Sequence, residues 1–320
     1  MDDDVRARLL GARGWIFDMD GTLVLGDRAN HGLRALPGAA SMLSWVRSRG
    51  LPYVVFTNGT NRAPAHFAAV LREDAGLDVP DARMMTPASS AAVMFGRRGF
   101  KRVLVLGGAG LAEPLRDAGI SVVFPGGSSG SGVSGGSGGF RGSGGPSGPG
   151  GPGGSSSSGG DSAVDAVLVG WYPEFTMPAL EAACDAVWSG ASLFSASETP
   201  FFASAGGRAL GTSRAISAMI RSLTGCALTV TGKPSLDALR AAAARLGVRR
   251  LRDLAVVGDD PLLEVPMAHR GRALAIAVDT GLGDASAYEG LPGGRRPHVH
   301  VSGIAELVGL CRAASGRFPC

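Results

Sequence analysis

Short apolar runs alternate with segments of helical periodicity along this 320-residue chain. Each run ends in turn or acidic residues, as the run 15–17 does before Asp18. This alternation is typical of an α/β protein, in which buried parallel strands are joined by helical crossovers. The predicted strands cover 14–18, 52–57, 102–106, 166–169, 192–196, 254–258, 273–278 and 299–301. The predicted helices cover 38–49, 64–72, 88–97, 112–118, 177–189, 212–223, 235–246 and 304–312.

The predicted strands fall into two outer blocks and one inner block. The simplest arrangement is a discontinuous, doubly wound core over 1–87 and 208–320, with a second α/β domain inserted over 88–207. Within the insertion, residues 126–160 are almost all Gly and Ser with interspersed Pro. Such a segment has little to bury, so we predict disorder there. It is either a tether or binding arm, or a tolerated expansion of a surface loop, which we favour.

Composition argues against nucleic acid and membrane partners. The net charge of +4 and the pI of about 9.2 are spread along the sequence, whereas nucleic acid binding needs clustered Lys and Arg. The N-terminus is acidic, the reverse of a signal peptide, and no apolar run reaches membrane-spanning length. The four cysteines lack CxxC spacing, which indicates reduced thiols and a cytoplasmic location. They are Cys184, Cys226, Cys311 and Cys320.

Two carboxylates, Asp18 and Asp20, leave the first predicted strand one residue apart. Alternate side chains of a strand point the same way, so both face one small volume if the register persists. They repel one another unless a positive group lies between them or one keeps its proton. A divalent metal and a phosphate-handling site supply both conditions. The alternative is a solvated turn after a strand.

Three further polar signals follow in a fixed order. Thr57 and Asn58 follow the second strand, where hydroxyl and N–H groups at a helix start would form an anion site. Lys233 precedes a helix without the spacing of a Walker A motif, so we predict a point charge on a phosphate oxygen. Asp259 and Asp260 end another buried strand, and hard oxygen ligands suit Mg²⁺. Because ligands bind at the carboxyl ends of parallel strands, these residues should share one crevice.

These motifs, in this order, resemble the haloacid dehalogenase (HAD) superfamily of phosphohydrolases. The match runs from about residue 14 to the C-terminus apart from the Gly/Ser segment, and it rests on DMDGTL, TN, GKPS and GDD. The insertion after the second motif is similar to the NagD and p-nitrophenyl phosphatase group (class IIA), which has a large α/β cap. Three longer stretches add to the resemblance: LGDRANHGLRALPGA, VLVLGGAGLAEPLRDAGI and DAVLVGWYPEFTMPALEAA. It therefore implies a HAD-like core with an inserted α/β cap.

The resemblance also implies a Mg²⁺-dependent phosphomonoesterase that acts on a small phosphorylated metabolite. Asp18 would attack phosphorus to give an aspartyl-phosphate, and Asp20 would act as general acid and then as general base. Mg²⁺ would be held by Asp18, Asp259 and the backbone carbonyl of Asp20. The phosphoryl oxygens would be held by Thr57, the backbone of Asn58 and Lys233.

The chain departs from the family pattern in two places. The family usually carries a second Asp about five residues after the first in its last motif, where this chain has Glu264. The side chain of Glu264 is longer than that of Asp, so it would reach a metal-bound water or a neighbouring donor, with Asp260 beside it. The alternative is that Glu264 is a plain surface carboxylate. The family's cap usually carries an ATNxD-like segment. Residues 195–200 stand at that place in this chain, so the resemblance assigns no substrate-binding residues there.

Two rival functions stay open: a phosphotransferase, and a catalytically weak protein that binds or senses a phosphate ligand. Glu264 motivates the second, but a pure binder has no use for a nucleophile together with an acid. The sequence does not identify the substrate, and it leaves a homodimer through the cap as an open alternative.

Two other pairs of residues have alternative interpretations. His298 and His300 alternate on a predicted strand, so a metal pair is one interpretation. We favour strand-edge histidines because no acidic partner lies nearby in sequence. Trp171 and Tyr172 follow a strand of the insertion and either line a substrate pocket or pack the cap.

Overall fold

The computed structural model describes residues 3–26, 32–126, 163–204, 207–283 and 285–316. The predicted disorder of 126–160 therefore falls outside the described residues, apart from Gly126. Among the described residues, no helix is both long and apolar enough to cross a membrane.

Strands and helices alternate along the described chain. The strands are β1 (Gly14–Phe17), β2 (Val24–Leu25), β3 (Arg34–Ala35), β4 (Tyr53–Phe56), β5 (Met84–Met85), β6 (Arg102–Leu106), β7 (Ser121–Val123), β8 (Ala166–Val169), β9 (Ser192–Ser195), β10 (Phe201–Ser204), β11 (Gly207–Leu210), β12 (Leu228–Val230), β13 (Leu254–Gly258), β14 (Leu274–Val278) and β15 (Val299–Val301). The helices are α1 (Asp3–Gly11), α2 (Ala39–Ser48), α3 (Pro64–Glu73), α4 (Pro87–Arg98), α5 (Ala109–Asp117), α6 (Met177–Trp188), α7 (Thr212–Thr224), α8 (Leu236–Leu246), α9 (Glu264–Gly271), α10 (Ala285–Glu289) and α11 (Ile304–Ser315).

The larger sheet has six parallel strands in the order β15-β14-β13-β1-β4-β5. Helices cover both faces: α1, α2, α3 and α11 pack on one side, and α8 and α9 on the other. Every residue of β1, β4, β13 and β14 is therefore buried. Burial on both faces explains why these strands read as continuous apolar runs. The predicted doubly wound α/β fold is confirmed.

The second sheet has five parallel strands in the order β12-β9-β8-β6-β7. Helices α4 and α5 pack on one face, and α6 and α7 on the other. The predicted boundary lies between 207 and 208, whereas α7 and β12 both belong to this layer. Strand β12 is a three-residue, half-buried edge strand, too short to give a periodic signal. We propose that 87–230 form the cap and that the core resumes at 231.

The order of strands in the larger sheet places three polar residues together. Strand β1 lies between β13 and β4, with Phe17 opposite Val257 and Val55. Since the three strands are parallel, the residues that follow them, Asp18, Asp259 and Thr57, lie at one edge of the sheet. The carboxyl ends of the strands therefore position the candidate site.

The loop after β4 differs from its predicted form. Helix α3 begins only at Pro64, with Ala63 as its N-cap, so Thr57 and Asn58 are not at a helix start. The loop instead reaches the second sheet, because the backbone N–H of Trp171 donates to Thr60 Oγ1 at 2.8 Å. It thus links the phosphate-site candidates to the cap.

Candidate active site

A cavity of about 120 Å³ lies at the carboxyl ends of β1, β4 and β13, facing the second sheet. All the predicted site residues line it: Asp18, Asp20, Thr57, Asn58, Lys233, Asp259, Asp260 and Glu264. The cap side of the cavity includes Trp171, Ser197, Thr199, Phe201 and Thr212. The structure therefore brings together residues that are more than 200 positions apart in sequence.

Lys233 lines the cavity and is only 1% exposed. Its ammonium group forms ion pairs with Asp18 Oδ1 and with Glu264 Oε1, the latter at 2.7 Å. Burial alone would lower the pKa of Lys233, but the two carboxylates outweigh burial and raise the pKa above its usual range. The lysine is therefore charged and held in place before any ligand arrives.

The side chain of Asn58 fixes the backbone of Lys233. Asn58 Nδ2 donates to the Lys233 carbonyl at 3.0 Å, and Asn58 Oδ1 accepts from the Lys233 N–H at 2.9 Å. This clamp joins the loop after β4 to the segment before α8. Local sequence did not indicate this clamp. For Asn58 we predicted only a contact from its backbone to phosphate.

Asp20 lies beside Thr57 at the edge of the cavity. Thr57 Oγ1 donates to Asp20 Oδ2 at 3.2 Å and accepts from the N–H of Gly59 at 2.9 Å. Burial and the charge of Asp18 raise the pKa of Asp20 to about 7, against opposing effects of Thr57 and Lys233. Asp20 can therefore carry a proton near neutral pH, beside the ion pair of Asp18 and Lys233.

Asp259 is held by two contacts, one from Thr22 of the DMDGTL motif and one from a loop that carries no motif. The N–H of Leu282 donates to Asp259 Oδ2 at 2.7 Å, and Thr22 Oγ1 donates to Oδ1 at 3.4 Å. Gly21 has a φ of 84° and packs directly against this carboxylate. Burial, together with the charges of Asp18 and Glu264, raises the pKa of Asp259 well above its usual value.

Glu264 is not a plain surface carboxylate, because it is only 2% exposed. Besides the ion pair with Lys233, its Oε2 accepts from the backbone N–H of Asp260 at 3.3 Å. Burial raises its pKa to about 8, against the lowering effect of Lys233. Asp260 Oδ1 accepts from the N–H of Leu262 at 2.7 Å, so it shapes the loop that leads to Glu264. The longer side chain thus meets a neighbouring donor, the lysine.

The donor set fits a hard divalent cation. Five carboxylates line the cavity, and Lys233 is the only cation among its described lining residues. The described residues contain no group of three acidic, His or Cys side chains arranged to hold a metal. The predicted ligand set does not require one, since it consists of the side chains of Asp18 and Asp259 and a backbone carbonyl. The excess negative charge in a buried site is what a divalent cation would offset.

The other candidates separate into different environments. Trp171 is 38% exposed and lines the cavity, whereas Tyr172 packs against Phe175 with ring centroids 6.1 Å apart. His300 does have an acidic partner in space, since its Nε2 lies 2.5 Å from Asp279 Oδ1. Asp279 is 21 positions away in sequence and follows the neighbouring strand β14, so this partner is distant in sequence but close in space. His298 accepts from the N–H of Ala275 through Nδ1 at 2.9 Å, so the two histidines do not pair on a metal here.

Comparison with known proteins places these features in a family. The profile described as haloacid dehalogenase-like hydrolase matches residues 15–121, and a HAD-hydrolase-like profile matches residues 230–307. Mouse chronophin is 28% identical over 311 residues, which cover 93% of this chain and 92% of chronophin. The ribonucleotide monophosphatase NagD of Escherichia coli K12 is 34% identical over 107 residues, which cover 33% of this chain and 40% of NagD.

Solved structures share the whole architecture. NagD from E. coli K-12 matches with a TM-score of 0.72 at 23% identity, over 92% of this chain and 98% of NagD. A glycerol phosphate phosphatase from Mycobacterium tuberculosis, in complex with calcium, matches with a TM-score of 0.71 at 24% identity, over 94% of this chain and 76% of that one. The two family profiles together contain every residue of the predicted site. The chain therefore belongs to the haloacid dehalogenase-like hydrolases, in the NagD-like class IIA group of phosphatases.

Proposed function

We propose that the chain is a Mg²⁺-dependent phosphomonoesterase that works through an aspartyl-phosphate on Asp18. The observation that carries the proposal is the pairing of two unlike carboxylates in one cavity. Asp18 is ion-paired to Lys233, whereas burial raises the pKa of Asp20 to about 7. An ion-paired carboxylate beside one that can keep its proton near neutral pH suits a nucleophile and a general acid.

In the first step, Asp18 attacks phosphorus and the bond from phosphorus to the ester oxygen breaks. Asp20 donates its proton to the departing oxygen, which leaves as an alcohol. In the second step, water attacks the same phosphorus and gives its proton to Asp20. Asp18 is released as a carboxylate, inorganic phosphate leaves, and both side chains return to their starting states.

The remaining residues hold the phosphoryl group. Thr57, the backbone N–H of Asn58 and the ammonium group of Lys233 would contact its oxygens, and these contacts strengthen as charge builds up in the transition state. Asp18, Asp259 and the backbone carbonyl of Asp20 would hold Mg²⁺, which supplies positive charge that offsets repulsion between nucleophile and substrate. Support for this assignment comes from the acidic cavity lining and its single described cation.

The substrate class that we propose is a small phosphorylated metabolite. The cavity has a volume of about 120 Å³, which suits a small ester better than a polymer. Curated relatives include phosphatases named for ribonucleotides and for sugars, so the class is compatible with several leaving groups. We also propose a cytoplasmic location and no nucleic acid or membrane partner. A homodimer stays an alternative oligomeric state.

Phosphate release from p-nitrophenyl phosphate and from a metabolite panel tests the proposal. We expect turnover with Mg²⁺, none with EDTA, and none from Asp18→Asn, while the exposed control Asp74→Asn keeps full activity. Folded wild-type protein that binds Mg²⁺ but turns over no substrate would point to the binding or regulatory alternative. Product analysis with an added alcohol acceptor separates the hydrolase from a phosphotransferase.

The covalent intermediate has a separate test in Asp20→Asn. Nitrophenolate leaves without a proton, so this variant should still form the aspartyl-phosphate but should hydrolyse it slowly. We expect a burst of about one equivalent of nitrophenol followed by turnover roughly 10²–10⁴-fold slower than that of wild type. Asp18→Asn should show no burst. A slow steady rate without a burst in Asp20→Asn would contradict the covalent mechanism.

A further inference from the structure

A second cleft lies at the opposite edge of the larger sheet, where strands β13, β14 and β15 begin. Its volume is about 610 Å³, within the range of small-molecule pockets. Five of its lining residues carry basic side chains, and they come from four separate segments of the chain: Arg8, Arg252, His269, Arg272 and His298. The sequence shows no basic block because the fold, and not local sequence, assembles this cluster.

The guanidinium charges in this cleft lack ion-pair partners within the described part of the chain. Arg252 and Arg272 are exposed and make no side-chain hydrogen bond there, and Arg8 donates only to the carbonyl of Arg272 at 3.3 Å. The acidic lining residue, Asp253, is already paired with Arg250, with Oδ2 and Nε 3.0 Å apart. None of the three guanidinium groups in the cleft therefore forms an ion pair with a described residue.

The rings of the two histidines add a neutral hydrogen-bond donor and a flat surface to the cleft. The rings of His269 and His298 have centroids 4.8 Å apart. Because His298 Nδ1 accepts from Ala275, its ring hydrogen is on Nε2, which has no partner among the described residues. Burial and the charges of Arg8 and His269 lower the pKa of His298 to about 4, although Asp4 opposes them. The ring is therefore neutral at physiological pH and can donate through Nε2.

Backbone carbonyls engage two of these side chains: Arg8 donates to Arg272 O at 3.3 Å, and His269 Nε2 lies 2.7 Å from Arg296 O. Helix α9 ends at this cleft, and two of its last carbonyls are satisfied, since Arg272 N donates to His269 O at 3.0 Å and Ala273 N donates to Ala268 O at 2.9 Å. The guanidinium groups of Arg252 and Arg272 are thus available to a ligand. The planar guanidinium group of an arginine can donate two parallel, charge-assisted hydrogen bonds to the oxygens of one phosphate.

We propose that this cleft is a binding site for a small molecule that carries a phosphate or diphosphate group. The volume suits a ligand of nucleotide size, whereas a nucleic acid strand would need a basic stripe that continues across the surface. The site is distinct from the catalytic cavity, because Asp253 precedes β13 and Asp259 follows it. Five residues of strand separate the two, a distance of roughly 17 Å.

Calorimetric titration of the full chain with methylenediphosphonate tests the site, because the P–C–P linkage of this probe resists hydrolysis. EDTA and low salt keep metal out of the catalytic cavity and limit screening. The test variant is Arg252→Gln with Arg272→Asn, since Asn tolerates the positive φ of 56° at residue 272. The control variant, Arg72→Gln with Arg97→Gln, removes the same charge from exposed helix positions.

We expect saturable binding to wild type, a loss of affinity of about tenfold for each guanidinium removed from the cleft, and no change in the control. NMR signals of the His269 and His298 rings should shift on titration, and those of His66 should not. Equal affinity in all three proteins would overturn the proposal, since the probe would then occupy another site. Equal weakening in both double variants would also overturn it, because only net charge would matter, and so would an absence of binding to wild type.

Discussion

Lys233 shows how a charged side chain can be buried in this cavity. An isolated buried lysine tends to lose its proton, but Asp18 and Glu264 each provide a carboxylate within ion-pair distance. Its position depends on more than these ion pairs, because Asn58 holds the lysine backbone from the other side of the cavity. Residue 58 therefore acts on the site through Lys233.

The clamp gives a prediction for Asn58→Ala. Two hydrogen bonds to the backbone of Lys233 would be lost, so the free energy of unfolding should fall by roughly 1–3 kcal/mol. The lysine would also be held less firmly, and KM for phosphate esters should rise while the protein stays folded. Urea denaturation and steady-state kinetics measure both effects.

Asn61→Ala is the matched control for this prediction. Asn61 lines the same cavity, but among the described residues its side chain makes no hydrogen bond. Its removal should change the free energy of unfolding by less than about 0.5 kcal/mol. Equal destabilisation of both variants would show that the clamp contributes nothing specific.

At the residue scale, the sequence predicted which residues meet but not how they pair. Asp18, Lys233 and Asp259 were found from strand ends and turn residues, which are local signals. The contact between Lys233 and Glu264 depends on how α8 and α9 pack on the sheet, and local sequence does not contain that information. The support of Asp259 by Leu282 comes from a loop without any motif, so it too was missed.

At the scale of elements, the turn after β1 is built around Gly21. Its φ of 84° lies in the left-handed region, and a Cβ there would lie 2.7 Å from Asp259 Cγ. At this turn the backbone lies so close to Asp259, a proposed metal ligand, that only a residue without a Cβ fits there.

Gly21→Ala should therefore cost more than backbone strain alone. We expect a loss of roughly 2–4 kcal/mol in the free energy of unfolding, together with weaker Mg²⁺ binding, because the Asp259 side chain must move. Gly50→Ala is the control, since Gly50 also has a positive φ, 64°, but open space around its Cα. It should lose only about 1–2 kcal/mol. Equal losses and equal Mg²⁺ affinity in a calorimetric titration would rule out the steric effect.

Strands with both faces covered were predictable, whereas the half-buried strand β12 was not. Strands β1, β4, β13 and β14 are apolar throughout because both faces are covered, so composition alone predicted them. Strand β12 has three half-buried residues and pairs only at the edge of the second sheet. Its three residues pair with β9 beside α7, which also packs in this layer, and local sequence did not indicate either contact.

At the scale of the whole molecule, the fold collects acidic groups at one edge of the larger sheet and basic groups at the other. In the absence of a cation, burial disfavours the ionised carboxylates of the acidic cavity. It raises the pKa of Asp20 to about 7 and that of Glu264 to about 8. In the unfolded chain, the same groups have pKa values near 3.8 and 4.5. The metal-free folded protein thus binds these protons more tightly than the unfolded chain does.

The sign of the pH effect follows from that difference. Both carboxyl groups are protonated in the two states only well below pH 3.8, so they add no pH dependence there. As pH rises from about 4 to about 8, the unfolded chain loses these protons first. The free energy of unfolding of the metal-free protein should then fall by a few kcal/mol over this window, since the folded state must keep the protons or bury the charges.

Mg²⁺ should reverse this loss, because a cation bound at Asp18 and Asp259 favours the ionised carboxylates. The midpoint of thermal unfolding should therefore rise on addition of Mg²⁺ by several degrees more at pH 8 than at pH 5, when measured by calorimetry against EDTA. Asp259→Asn should lose most of the Mg²⁺-dependent rise, while the exposed control Asp74→Asn should keep it. A rise of equal size at both pH values would mean that the cation does not act on the buried carboxylates, and the metal site would have to be sought elsewhere.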